Sequence, residues 1–181
     1  MPRSVPIKIK RVLKGTKPEA TYPKNQLGNS LSFISRLIAG GLPTRIYYAS
    51  QGGYDTHAGQ MNTHKRLLNE LATSVAAFCN NLKAKGVFDR VLIMTFSEFG
   101  RRVTENANGG TDHGTAAPMF ICGGPVKPGL YGKQPPLDRL DAGDLFYNVD
   151  FRSVYSTILS HWMQAPATQV LARDFPKLNF I

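Results

Sequence analysis

Leu27, Leu31, Ile34, Leu37 and Ile38 recur three and four residues apart, and Gly40-Gly41 closes the run. That spacing predicts an amphipathic helix with a glycine stop. Thr44 to Ser50, "TRIYYAS", is β-branched and aromatic and predicts a short buried strand, with a Gly52-Gly53 turn after it. Over 60–85, Leu67, Leu68, Leu71, Val75, Phe78 and Leu82 form one apolar stripe ended by Gly86, the strongest helical pattern in the chain. "RVLIMTF", Arg90 to Phe96, and "APMFICGG", Ala117 to Gly124, are continuous apolar runs of strand length. Strand, long helix, strand predicts a βαβ unit with a parallel pair. Residues 125–149 are rich in Gly, Pro and Asp and read as a long loop with a small hairpin near Leu130-Tyr131. Val154, Ile158, Leu159 and Trp162 predict a final helix at 151–163.

The expected fold is therefore α/β, a mostly parallel sheet with helices on both faces. Residues 1–25 hold four prolines and little periodicity, so they read as an irregular lead-in to one domain at 26–181. A chain of 181 residues, 42% hydrophobic and 19% charged, is an ordinary globular protein large enough for a core. No apolar run approaches the roughly 20 residues of a membrane span, and no signal peptide is visible. Cys79 and Cys122 lie in apolar contexts and are too few for a disulfide framework. Net charge is +10, of which the first 24 residues carry +6: seven Lys/Arg against Glu19. Such a tail could bind nucleic acid, but no zinc-finger spacing or aromatic-interleaved basic strand supports that partner. The expected cellular address is left open by the sequence.

Three polar spots flank the strands: Asp55 and His57; "SEFGRR", Ser97 to Arg102; and "GGTDHG", Gly109 to Gly114. In an open parallel sheet, ligands bind outside the carboxyl ends of strands, so these spots are expected to converge on one edge. Asp55, His57, Glu98, Asp112 and His113 then offer carboxylates and imidazoles. This donor set suits zinc, manganese or iron and would tolerate magnesium or calcium. A bound ion could polarise a phosphoryl or sulfuryl oxygen, and Arg101 could steady an anionic small-molecule ester. Asp-x-His after a turn can equally be a turn-stabilising hydrogen bond, and Asp-His in a glycine-rich loop can be plain turn chemistry. His64, on the long helix, and His161, beside Trp162, are weaker candidates for surface and packing roles. Ser97, Thr95, Thr111 and Thr115 lack the GxSxG setting of an activated nucleophile. "GGPVKPG" lacks the GK[ST] ending of a P-loop.

"GGYDTH", "FSEFGRR", "NGGTDHGTAAPMF" and "VDFRSVYSTIL", in this order, resemble the C-terminal half of the bacterial domain-of-unknown-function 1501 family over about residues 26–180. That family is similar to the alkaline phosphatase–sulfatase–phosphoglycerate mutase superfamily. The resemblance implies an alkaline-phosphatase-like α/β/α sandwich in which Asp/His motifs hold two metal ions. By position, Asp55 and His57 resemble its Asp-x-x-x-His motif, Glu98 the acid of its Ser-Asp-His-Gly motif, and His113 its last histidine ligand. Here Asp-x-His is tighter, and Phe99 stands in the place of a ligand histidine. The superfamily's first aspartate and nucleophile have no counterpart. The resemblance thus implies a truncated C-terminal portion of relatives that resemble exported proteins. Two functions follow as expectations. One is a metal-dependent hydrolase of phosphate or sulfate esters. The other is a non-catalytic metal-binding or interaction module that completes a sheet with a partner chain or with itself through an unpaired edge.

Overall fold

The computed structural model describes residues 4–181. They divide into two compact units: the chain up to Val91 with Asn108–Gly110, and Leu92–Ala107 with Thr111–Ile181.

The first unit is helical: α1 (Ser4–Gly15), α2 (Gln26–Ala39), α3 (Gln60–Ala84) and a single 3-10 turn at Phe88–Arg90. α2 begins where the Asn25 side chain accepts a hydrogen bond from the Gly28 amide at 2.7 Å, the usual way of satisfying an orphan amide at a helix start. Both long helices end alike. Gly41 takes φ +73° and Gly86 φ +65°. The amides of Leu42 and Val87 then reach back to the carbonyls of Leu37 and Leu82, at 3.1 and 3.0 Å. This is the six-to-one closure that glycine's left-handed conformation permits. Leu27, Leu31, Ile34 and Leu37 of α2 and Leu67, Ala77, Phe78 and Leu82 of α3 are buried and form the core. Leu68, expected on the apolar stripe, is 49% exposed. Asn81 is buried in α3 and accepts from the Glu19 amide at 2.6 Å, which ties the chain before α2 to α3.

The lead-in expected to be irregular is helical from Ser4 to Gly15; its first three residues lie outside the described residues. Pro6 falls in the first turn, where a missing N–H breaks no helical bond. Ile9, Val12 and Leu13 are half-buried, whereas Lys8, Lys10, Arg11 and Lys14 are exposed. The basic charge of this segment is thus one face of an amphipathic helix. Arg36 of α2 holds its end by donating to the carbonyls of Leu13 and Thr16.

The second unit contains two separate antiparallel pairs. β1 (Leu92–Met94) pairs with β4 (Ile121–Gly123), Ile93 opposite Cys122. β2 (Gly100–Glu105) pairs with β3 (Thr111–Gly114), Arg101 opposite His113. α4 (Phe151–Thr157) runs into one π-helical turn at Ile158–Trp162, and α5 (Ala167–Val170) follows. The chain end packs on α4: Phe175 and Phe180 are buried, and buried Thr157 accepts from the Leu178 amide at 2.8 Å. Residues 130–131 form no hairpin; the only bridge in that loop among the described residues joins Asp141 to Asp144.

Among the described residues the expected mostly parallel sheet is absent, and with it the alkaline-phosphatase-like sandwich. The sheets are two separate two-stranded pairs, both antiparallel. The reason is the connection between β1 and β4. Parallel neighbours need a crossover of a dozen or more residues, usually a helix. Here a hairpin intervenes instead, so the second apolar run returns beside the first in the opposite direction. The segment 44–50, expected as a strand, belongs to no sheet; Ile46 is 70% and Tyr48 73% exposed. Its composition suits a strand, but a strand exists only through its ladder. No helix among the described residues is long and apolar enough to cross a membrane.

Candidate metal centre

Asp55 and His57 lie on a short non-helical stretch that leads into α3. Tyr54 and Thr56 are half-buried, Asp55 and His57 exposed. The Thr56 amide donates to the Tyr54 carbonyl at 2.9 Å, which closes a tight three-residue turn at Asp55 and sets both donors close together. His57 Nε2 lies 3.0 Å from Asp55 Oδ1.

α3 supplies the partners for the inward side chains. His64 Nε2 lies 2.9 Å from the Thr56 hydroxyl, and Gln60 Nε2 donates to the same hydroxyl at 3.0 Å. The Tyr54 hydroxyl donates to Gln51 Oε1 at 3.1 Å, and Gln51 donates in turn to the Leu67 carbonyl at 3.1 Å. The Tyr54 ring meets the His64 ring edge-on, centroids 5.9 Å apart. Burial, reinforced by the nearby Glu70 carboxylate, raises the Tyr54 phenol above its ordinary value and keeps it a donor.

The start of α3 carries no side-chain cap. Backbone carbonyls fill that role: the amides of Gly59 and Gln60 donate to Asn108 and Gly109, at 3.1 and 2.9 Å. Gly110 completes the contact. A Cβ there would stand 2.4 Å from the His57 carbonyl carbon, so only glycine lets the two backbones approach this closely.

In the second unit, His113 sits on β3 opposite Arg101 of β2. Its imidazole stacks on the Phe99 ring, centroids 3.9 Å apart and planes 5° from parallel. The Arg101 guanidinium lies 5.0 Å from the centroid of the same ring and donates to the Thr111 carbonyl at 2.5 Å. Arg101, expected to steady an anion, thus also braces the hairpin. Phe99, in the position a ligand histidine would take by the resemblance, supports the imidazole of His113 instead. Asp112 follows the strand alternation onto the face opposite His113. Glu98 is exposed in the turn between β1 and β2.

A model of the family described as "Protein of unknown function (DUF1501)" matches residues 13–173. The chain belongs to this family. No curated protein and no solved structure matches it. The family match spans both units and all four motifs that carried the resemblance, including the glycines that the backbone contacts require.

The donor set of the first unit fits a divalent ion. Two ligand atoms each about 2.1 Å from one tetrahedral ion stand about 3.4 Å apart, and Asp55 Oδ1 and His57 Nε2 stand at 3.0 Å. Carboxylate with imidazole suits zinc, manganese or iron. His64 was the residue that sequence reasoning undervalued. The signal was its position seven residues after His57, one turn into a helix whose first turn the loop abuts. His161 is exposed, not packed.

Proposed function

We propose that this chain binds a divalent metal ion through Asp55 and His57 in the first unit, with His113, Glu98 and Asp112 of the second unit as a further donor set. One observation carries the reading. Asp55 and His57 are 65% and 49% exposed, yet they stand 3.0 Å apart on a segment whose neighbours are fixed to α3. Zinc, manganese and iron fit the donors best, and magnesium or calcium would depend on the carboxylates.

An ion held there would act as a Lewis acid toward phosphoryl or sulfuryl oxygen. The activity that follows is metal-dependent hydrolysis of phosphate or sulfate esters. The chain's own residues would hold the ion, and Arg101 would attract an anionic ester. The alternative is a non-catalytic metal-binding or interaction module. The exposed, strand-like segment 44–50, outside any sheet, supports it, because an extended partner segment could pair there.

Metal content by mass spectrometry tests the proposal on wild type, His57→Ala, His113→Ala and the double variant. Wild type is expected to carry metal that the double variant lacks. Metal lost with His57→Ala belongs to the first unit, and metal lost with His113→Ala to the second. Well-folded wild type without metal, after exposure to zinc and manganese, overturns the reading. Arylphosphate and arylsulfate turnover then separates the hydrolase from the module.

A further inference from the structure

We propose that His64 is the positioning residue for the Asp55/His57 pair. The inference rests on the metal-binding reading for its consequence, but its geometry stands by itself. Thr56 is the residue between the two donors, and its hydroxyl is held by His64 at 2.9 Å and by Gln60 at 3.0 Å. The Thr56 amide also donates to the Tyr54 carbonyl at 2.9 Å, closing a tight turn at Asp55; fixing Thr56 on α3 fixes that turn, and the turn sets Asp55 and His57 beside each other.

The bond tolerates either form of the ring. Neutral His64 can accept the Thr56 proton at Nε2. A protonated ring donates there instead, and Thr56 passes its own proton toward the Tyr54 carbonyl, 3.5 Å away. Thr56 and the Tyr54 carbonyl and ring face His64. The clamp therefore holds the segment without itself being a ligand. Groups that orient metal ligands from behind typically contribute 10- to 100-fold in affinity.

The test uses the full chain and two readouts. The first needs no metal: the ring nitrogen shifts of His57 by 15N NMR in wild type, His64→Phe, His64→Gln and Thr56→Val. In wild type, Nε2 carries the proton it donates to Asp55, so one tautomer is expected to dominate. His64→Phe and Thr56→Val are expected to mix the tautomers, and His64→Gln, which keeps a hydrogen-bonding group, to restore the dominance in part. Thr56→Val cuts the same bond from the other end, so a fold defect in His64→Phe does not decide the matter. The second readout is cobalt(II) affinity and its visible absorption spectrum. His64→Phe and Thr56→Val are expected to weaken binding about tenfold or more and to shift the spectrum. Unchanged His57 shifts in both variants overturn the positioning role. Mixed shifts with no cobalt binding in wild type uphold the role and overturn the metal reading, so the two failures are told apart.

Discussion

Two segments of this chain present the same residue types and hold them by different means. Asp55 and His57 ride on a tight turn outside any ladder. Side chains of α3 and the backbone at Gly110 fix it. His113 rides on a hairpin strand, where backbone pairing and the Phe99 ring fix it. The first arrangement depends on a helix being in place. The second depends on local register and one stacked ring. Asp-His in the hairpin also illustrates a limit of spacing: Asp112 and His113, adjacent on a strand, face opposite ways, whereas the turn at Asp55 brings Asp55 and His57 to 3.0 Å.

The largest effect should come from removing what α3 stands on. Leu82 is fully buried. Leu82→Ala is expected to cost about 2–5 kcal/mol, seen as a lower denaturation midpoint, with the His57 resonances broadened at temperatures where wild type is unaffected. An unchanged midpoint would mean that the stretch does not depend on the helix. Gly110→Ala should come next. The added methyl would lie 2.4 Å from backbone at His57, and forced overpacking costs about 1–3 kcal/mol. A crystal structure or NMR of this variant should show His57 displaced. Gly41→Ala should cost about 1 kcal/mol through its positive φ and leave His57 where it is.

The helices were legible in the sequence because each announces itself twice, by a stripe and by a stop. Gly40-Gly41 and Gly86 mark helix ends, and the closing hydrogen bonds form as glycine permits. α1 was hidden because its prolines and charges masked a short apolar face of Ile9, Val12 and Leu13. The sheet was misread for a more general reason. "RVLIMTF" and "APMFICGG" show that strands exist but not which way they run. Direction is set by the connection, and "FSEFGRRVTE" reads as a loop until its pairing with "TDHG" is seen. At the candidate site, the donors Asp55, His57 and His113 were legible as residue types. Their supports were not, because Thr56, Gln60 and Phe99 carry no chemistry by themselves and gain a role only from what they touch.

Away from both segments, Asp150 offers a smaller control on how local such support can be. Its carboxylate accepts from the Arg152 amide at 2.8 Å and from the Arg152 guanidinium at 2.6 Å, so it caps α4 and pairs in one place. The Arg152 hydrogen bond holds its pKa below the usual carboxylate value. A carboxyl depressed in the folded state stabilises above its unfolded pKa, and the contribution is lost as pH falls through the folded pKa. Asp150→Ala is expected to lower stability by about 1 kcal/mol at neutral pH. Asp150→Asn keeps the cap and removes the charge, so its loss should be smaller. Denaturation curves from pH 7 down to below the ordinary carboxylate range should show the wild-type advantage over Asp150→Asn shrinking with acid. An advantage that grows with acid would contradict the pairing.

A last substitution tests the hairpin most directly. Phe99 contributes a face to His113 at 3.9 Å and a nearby ring to Arg101. Phe99→Leu keeps apolar bulk but removes the π surface, at an expected cost of about 0.5–1.5 kcal/mol. If the strand pairing alone fixes His113, its backbone amide shifts should stay and its ring proton shifts should move, because the ring current above the imidazole is gone. If the backbone shifts move as well, Phe99 is part of what sets the register. The hairpin then resembles the α3 clamp more than the contrast drawn above allows. The register irregularity between Arg101 and Glu105 marks where that failure would begin. A bulged ladder is held by fewer backbone bonds on that side, so the side-chain stack bears more of the task.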